Sequence, residues 1–334
     1  MSLRSLKRML PVAVLSIGFL LVSTQLHLAQ QLGQQPVPTA AAAGQRGARG
    51  PQPVDPRVQN RTYLFTDTNE QLPYAVFVSS KVSKDKKNPL IVALHGLGGT
   101  PTSLLRGNAL DLAEEGGYIL VGAMGYNPSG WYGAPATFTG TTVGRGGRGA
   151  PNGATPPNGA TAPNAGERGG RGPQGPAPAT VGGTAVTDPT KVHELSEKDV
   201  MNVLGMIRKE FNVDERRTYL MGHSMGGAGT IYLGVKYASN WAAIGAIAPA
   251  TSPAGLQPDK FSLEPAKGVP AIVIQGDADP LVPVAGTRRW IDKMKELNMT
   301  QQYVEVAGGD HGNVIGIGMP DIFAFFAKHS KSGR

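Results

Sequence analysis

Cysteine is absent from these 334 residues, and its absence removes three kinds of chemistry at once. No disulfide can staple the fold, no thiolate can hold a metal, and no cysteine can serve as nucleophile. Stability must come from packing, for which 40% hydrophobic content in a chain of this length suffices. Long apolar runs are also scarce. The run Met9 to Val22 follows Arg4, Lys7 and Arg8; it is too short to span a bilayer comfortably and matches the charged and apolar regions of an export signal. Residues 1–29 are therefore expected to be a signal peptide or, if uncleaved, an N-terminal anchor. Cleavage after Ala29 would put His27, larger than the usual small residue, at the minus-three position. The implied location is outside the cytoplasm, periplasmic or secreted, with membrane contact confined to that segment.

The net charge of +8 invites a polyanion partner until the charges are located. Arg4, Lys7, Arg8, Arg46 and Arg49 against Asp55 put +4 on residues 1–56, and Arg145, Arg148, Arg168 and Arg171 against Glu167 put +3 on residues 134–186. Only +1 remains for the body, so no nucleic-acid partner is expected. The same two stretches gather much of the Gly and Pro. Residues 30–56 read as a disordered linker and about 134–186 as a disordered insertion, because neither holds enough apolar surface to offset its ordering entropy. The insertion is expected to be passive, or else to overhang, gate or tether. One folded domain then occupies 57–330. No metal-ligand cluster or nucleotide-binding glycine loop appears, so neither metal nor cofactor is expected.

Within that domain strands and helices alternate. Strands are expected at Thr62–Thr66, Tyr74–Val78, Leu90–Leu94, Tyr118–Ala123, Thr218–Met221, Ala243–Ala248, Ala271–Ile274 and Tyr303–Val306, several as the continuous apolar runs of buried parallel strands. Helices are expected at Glu197–Phe211, Gly227–Tyr237, Val284–Leu297 and Pro320–His329. For the first of these, Ser196 and Asp199 form an S-x-x-D cap pattern. The alternation implies a single α/β domain, a doubly wound, mostly parallel sheet of about eight strands flanked by helices, with the first two strands as an antiparallel edge hairpin.

Between the strand ending at Met221 and the helix starting at Gly227 lies Gly222-His-Ser-Met-Gly226, a G-x-S-x-G element in strand-turn-helix context. Small neighbours let the turn be sharp, so the Ser224 hydroxyl projects at the carboxyl edge of the sheet, and the helix N-terminus behind it supplies partial positive charge. A serine hydroxyl needs a base. Of six histidines, His311 sits in Gly308-Gly-Asp-His-Gly312, after the last strand and before the last helix. His27 lies in the export segment, His193 in a polar stretch and His329 near the tail; His95 and His223 read as packing or hydrogen-bonding residues. An imidazole base needs a carboxylate to fix its tautomer, and Gln275-Gly-Asp-Ala-Asp-Pro-Leu-Val-Pro283 offers both Asp277 and Asp279 at the right edge. His95-Gly-Leu-Gly-Gly99, after strand Leu90–Leu94, is either a simple glycine turn or a loop whose amides face inward.

Taken together these motifs resemble the α/β-hydrolase superfamily over nearly all of 60–330 apart from the insertion. The resemblance is strongest to exported esterases of the polyhydroxybutyrate depolymerase and feruloyl esterase group, with prolyl oligopeptidase-like hydrolases next. It rests on the His95–Gly99 loop, on Gly125-Tyr-Asn-Pro-Ser-Gly-Trp-Tyr132 and on the acid loop. It implies Asp279 as the acid, with Asp277 capping the turn, and an oxyanion hole made by the backbone N–H of Leu97 and Met225. It also implies that Tyr126, Trp131 and Tyr132 line a substrate cleft, although Trp131 could simply pack. The activity it implies is serine esterase action on a small or polymeric ester (feruloyl, acetyl or hydroxyalkanoate) through an acyl-enzyme. A peptidase of the prolyl oligopeptidase type lacks its usual propeller repeats here. A catalytically inert module binding anionic surfaces through its basic segments is the third reading.

Overall fold

A computed structural model describes residues 54–136 and 182–331. The expected export segment, nearly all of the expected linker and most of the expected insertion lie outside the described residues. Residues 134–136 and 182–186, which composition assigned to the insertion, belong to the body: Thr184 and Ala185 donate their amides to Glu70.

Eight strands form one sheet: β1 (Gln59–Phe65), β2 (Glu70–Val78), β3 (Asn88–Leu94), β4 (Ile119–Ala123), β5 (Val213–His223), β6 (Ala243–Ile247), β7 (Ala271–Gly276) and β8 (Gln301–Val306). Their order is β1-β2-β4-β3-β5-β6-β7-β8. β1 and β2 are the expected antiparallel edge hairpin; β2 also meets β4 antiparallel, and every pairing from β4 through β8 is parallel. Each sequence-predicted strand has its counterpart, lengthened or trimmed by a few residues at its ends. Central strands need apolar side chains on both faces, which is why β3, β4, β6 and β7 are buried along their whole length.

Among the described residues, five α-helices cover the two faces: α1 (Asn108–Gly116), α2 (Pro189–Glu210), α3 (Met225–Lys236), α4 (Val284–Glu296) and α5 (Asn313–Lys328). Leu90, Val92, Val121, Leu220 and Val273 pack toward α2, α3 and α4 through Val203, Ile207, Ala228, Ile231 and Trp290. The alternate residues Ile91, Leu120, Met221, Ile272 and Ile274 pack toward α1 and α5 through Leu110, Ile322 and Phe326. A mostly parallel sheet with helices on both faces, α2, α3 and α4 on one and α1 and α5 on the other, makes this the α/β-hydrolase fold.

Two helix starts differ from expectation. α2 begins at Pro189, with Asp188 as its N-cap accepting the Lys191 amide at 2.8 Å. Proline at the first helical position needs no hydrogen-bond acceptor, so Asp188-Pro189 is the stronger start signal. Ser196 and Asp199 are consequently interior residues of α2, fully buried, and cap nothing. α5 begins at Asn313, separated from the end of β8 by the six-residue glycine loop 307–312, where Asp310 Oδ1 accepts the Gly312 and Asn313 amides at 2.9 and 2.8 Å. Its glycines masked it in sequence. Gly318 is required, because a Cβ there would lie 2.5 Å from Ile274 Cγ2.

Phe326 is fully buried and stacks on Tyr219, with ring centroids 4.6 Å apart and planes 9° from parallel. Phe326→Ala is expected to lower unfolding free energy by about 3–5 kcal/mol, read from the urea midpoint. A loss below 1 kcal/mol would mean that α5 does not anchor this face of the sheet.

Candidate active site

Ser224 joins β5 to α3 at backbone angles φ 57°, ψ −115°, a conformation that costs a side-chain-bearing residue roughly 1–3 kcal/mol. The neighbours explain how it persists. A Cβ on Gly222 would lie 2.2 Å from the Gly226 oxygen, and one on Gly226 would lie 2.1 Å from the Leu94 oxygen, so both glycines are fixed by backbone contact. The Ser224 amide donates to Ile247 O at 2.9 Å, while its carbonyl accepts the Ala228 and Ala250 amides, each at 3.0 Å.

Two loops at the same sheet edge bring the partners. His311, between β8 and α5, lies with Nε2 at 2.9 Å from Ser224 Oγ, and its Nδ1–H donates to Asp279 Oδ2 at 2.7 Å. The chain therefore brings together three side chains separated by up to 87 positions in one hydrogen-bonded line. Asp279, between β7 and α4, also accepts the Leu281 and Val282 amides on Oδ1 at 2.8 and 2.9 Å, and Gln275 Nε2 on Oδ2 at 3.3 Å. Burial pushes the Asp279 carboxyl upward, but the Val282 amide, the His311 ring and the Leu281 amide outweigh it and hold the group below the ordinary carboxylate value. The Asp279 side chain has no solvent exposure and that of His311 keeps 17%, so the acid is sealed while the imidazole still faces the edge. Asp277 plays a different part. Its Oδ1 accepts the Gly308 amide at 2.7 Å, tying the acid loop to the histidine loop.

The His95–Gly99 loop lies against the same turn. A Cβ on Gly96 would be 3.4 Å from Ser224 Cβ. Gly98, at φ 73°, donates to Pro128 O at 2.9 Å, and Gly99 donates to Gly96 O at 2.9 Å. Among the described residues, no acceptor is bonded to the amide of Leu97 or of Met225. Met225 opens α3, so its N–H is one of the unpaired donors of a helix N-terminus. Two donors without an acceptor, one on the residue after Ser224 and one on the loop packed against it, are the kind of group a developing oxyanion requires.

The three aromatics expected on an open cleft are buried instead. Tyr126 packs with Phe65, Leu72, Val192 and Leu195 and donates its hydroxyl to Glu70 Oε2 at 2.9 Å. Trp131 and Tyr132 enter the main core, and the Tyr132 hydroxyl donates to His95 O at 3.1 Å. The resemblance put them on a cleft-lining loop; the backbone there is left-handed at all three. His95 and His223 are hydrogen-bonding residues. The fully buried His95 ring lies 2.8 Å from both Gly96 O and Met124 O. His223 Nε2–H donates to His311 O at 2.8 Å. Among the described residues no group of three or more His, Asp or Glu gathers as a metal site.

Residues 192–312 match the family model described as "Putative esterase". Among curated proteins no relative matches. Solved structures similar to this chain include a ferulic acid esterase from the anaerobic fungus Anaeromyces mucronatus, 18% identical, covering 81% of this chain and 90% of that one with TM-score 0.55. An S-formylglutathione hydrolase from Agrobacterium tumefaciens is 16% identical, with coverage of 82% and 95% and TM-score 0.55. A thermostable esterase is 20% identical at TM-score 0.53, and the match spans 83% of this chain but 64% of that one, under two thirds of its length.

Burial, reinforced by the nearby His311 ring, pushes the His223 imidazole down to about 4. The folded chain then keeps His223 neutral where the unfolded chain protonates it, so this group's contribution to stability is present above pH 6.5 and is lost as pH falls from 6.5 toward 4. Its size is on the order of 3 kcal/mol. Denaturant midpoints of His223→Gln should lack that part of the acid-side slope; an unchanged slope would assign it to other groups.

Proposed function

We propose that this chain, a member of the α/β-hydrolase superfamily, is a serine esterase that cleaves carboxylic esters through an acyl-enzyme. The observation that carries the reading is the unbroken line from Ser224 Oγ to His311 to the buried Asp279 carboxylate, beside two amides with no acceptor among the described residues. The esterase family match over 192–312 supports it, since that span contains Ser224, Asp279 and His311.

In this reading Ser224 Oγ attacks the ester carbonyl carbon as His311 Nε2 takes its proton. The carbonyl oxygen becomes an oxyanion held by the Leu97 and Met225 amides, each such donor contributing about 2.7–4 kcal/mol to barrier lowering. Asp279, kept ionised by its amide donors, stabilises the imidazolium so formed. Collapse breaks the bond to the alcohol oxygen, which leaves with the proton from His311. Water then repeats the sequence: His311 removes its proton, hydroxide oxygen adds to the acyl carbon, and the carboxylic acid departs as Ser224 regains its hydrogen.

The substrate proposed is a small or polymeric ester of the feruloyl, acetyl or hydroxyalkanoate kind, met outside the cytoplasm after export by residues 1–29. Leu97 is 46% exposed and follows Gly96, whose Cβ position lies 3.4 Å from Ser224 Cβ; in this reading it gives the acyl group an apolar contact.

With p-nitrophenyl acetate, Ser224→Ala is expected to abolish turnover and to lose fluorophosphonate labelling, while Asp279→Asn should lower kcat by about 10⁴-fold with the fold intact. Wild-type turnover in Ser224→Ala would remove the nucleophile assignment, and a wild-type chain that neither turns over nor labels would favour the inert module. Run beside it, the matching p-nitroanilide distinguishes esterase from peptidase: a preference for the ester is expected, and a preference for the anilide would overturn the choice.

A further inference from the structure

The S-x-x-D pair on α2 has no capping role, and both side chains point into the molecule. Asp199 Oδ2 accepts the Gly125 amide at 2.6 Å and the Tyr126 amide at 3.1 Å, and its other oxygen accepts the Tyr63 hydroxyl. Ser196, one turn earlier, accepts the Tyr132 amide on Oγ at 3.0 Å, with Gly130 pressed so close that a Cβ there would lie 2.5 Å from the same oxygen. One face of α2 thus grips both ends of the segment 125–132. That segment needs gripping. Tyr126, Trp131 and Tyr132 stand at φ 62°, 55° and 54°, a left-handed region that bulky aromatic residues rarely occupy.

Met124 and the segment that follows it together make three contacts with the loop that carries Leu97. Met124 O lies 2.8 Å from the His95 Nε2, Pro128 O accepts the Gly98 amide at 2.9 Å, and the Tyr132 hydroxyl donates to His95 O at 3.1 Å. Gly98 is the residue after Leu97, so the direction of the Leu97 N–H is set by a loop bonded on both sides to this segment.

We propose that Asp199 is a positioning residue for ester hydrolysis: its buried carboxylate holds the strained 125–132 segment, and through it the His95–Gly99 loop, so that the Leu97 amide faces the oxyanion. The inference rests on the esterase reading above. An acceptor-only carboxylate suits the place, because three donors converge on it. Burial raises the Asp199 carboxyl to about 6, opposed by the Tyr63 hydroxyl and the backbone amides.

The test compares Asp199→Ala with Asp199→Asn in the full chain. Alanine leaves two buried amides without an acceptor, whereas asparagine can present its oxygen to both amides and its NH₂ to the Tyr63 oxygen, which can also accept. For p-nitrophenyl acetate, Asp199→Ala is expected to lose about 10–100-fold in kcat with KM within about 3-fold, and Asp199→Asn to recover most of it. Phenylboronic acid, which forms a tetrahedral adduct on serine, should weaken in step with kcat/KM, while inhibition by benzoate should not. A purely structural residue would lower the unfolding temperature and leave kcat and boronate affinity unchanged below it; that result overturns the proposal. If Asp199→Ala does not fold, Tyr132→Phe carries the test, since it deletes only the hydroxyl bonded to His95 O. A loss of about 5-fold in kcat and in boronate affinity is expected, and wild-type values overturn the inference. A wild-type chain that hydrolyses no ester overturns the esterase reading itself, whereas active wild type with unaffected Asp199→Ala and Tyr132→Phe overturns this inference alone.

Discussion

The carbonyl oxygen of Leu94, at the end of β3, lies where a side chain on Gly226 would begin, 2.1 Å from the Cβ position. That approach of one backbone to another fixes everything around it. It presses the first turn of α3 against the neighbouring strand, which lets Ser224 turn sharply out of β5 with its hydroxyl on the sheet edge. It also delivers the His95–Gly99 loop, the direct continuation of β3, to the side of the same serine. The serine turn and the glycine loop are therefore placed by a single close contact between the first turn of α3 and the end of β3, and His311 and Asp279 arrive on the next loops at the same edge.

The charges around this turn are graded by solvent and donors rather than by residue type. Asp279 and Asp277 are two positions apart, yet one is sealed with four donors converging on it and the other lies at the surface holding a loop amide. His311 and His223 face each other with ring centroids 4.7 Å apart, but burial keeps His223 uncharged, so a proton taken from Ser224 is not opposed by a second cation. Asp199 shows the opposite balance, a carboxyl raised by burial despite its donors.

Much of this was legible in the sequence where a signal was local. Continuous apolar runs mark several of the eight strands, and G-x-S-x-G between a strand and a helix marks the turn, because those patterns follow directly from two-sided burial and from the space a sharp turn needs. The choice between Asp277 and Asp279 was not local, and only the resemblance separated them. The start of α2 was misread since Ser196 and Asp199 carry cap chemistry at cap spacing, and their real partners lie 64 to 136 positions away. Tyr126, Trp131 and Tyr132, which the resemblance puts on a cleft-lining loop, are buried, and their left-handed backbone has no counterpart in composition, where the sign of φ at a non-glycine residue leaves no trace. Gly316 and Gly318, poor helix formers, conceal the first turns of α5.

The central claim is that Ser224 oxygen becomes covalently acylated with His311 as its base. Rapid acid quenching during turnover of a slowly deacylating ester, followed by peptide mass mapping, tests it most directly. One acyl group per chain on the peptide containing Ser224, and none when His311 is replaced by alanine, is the predicted result. Product release with no acyl group on Ser224, or an acyl group carried by another residue, would contradict it.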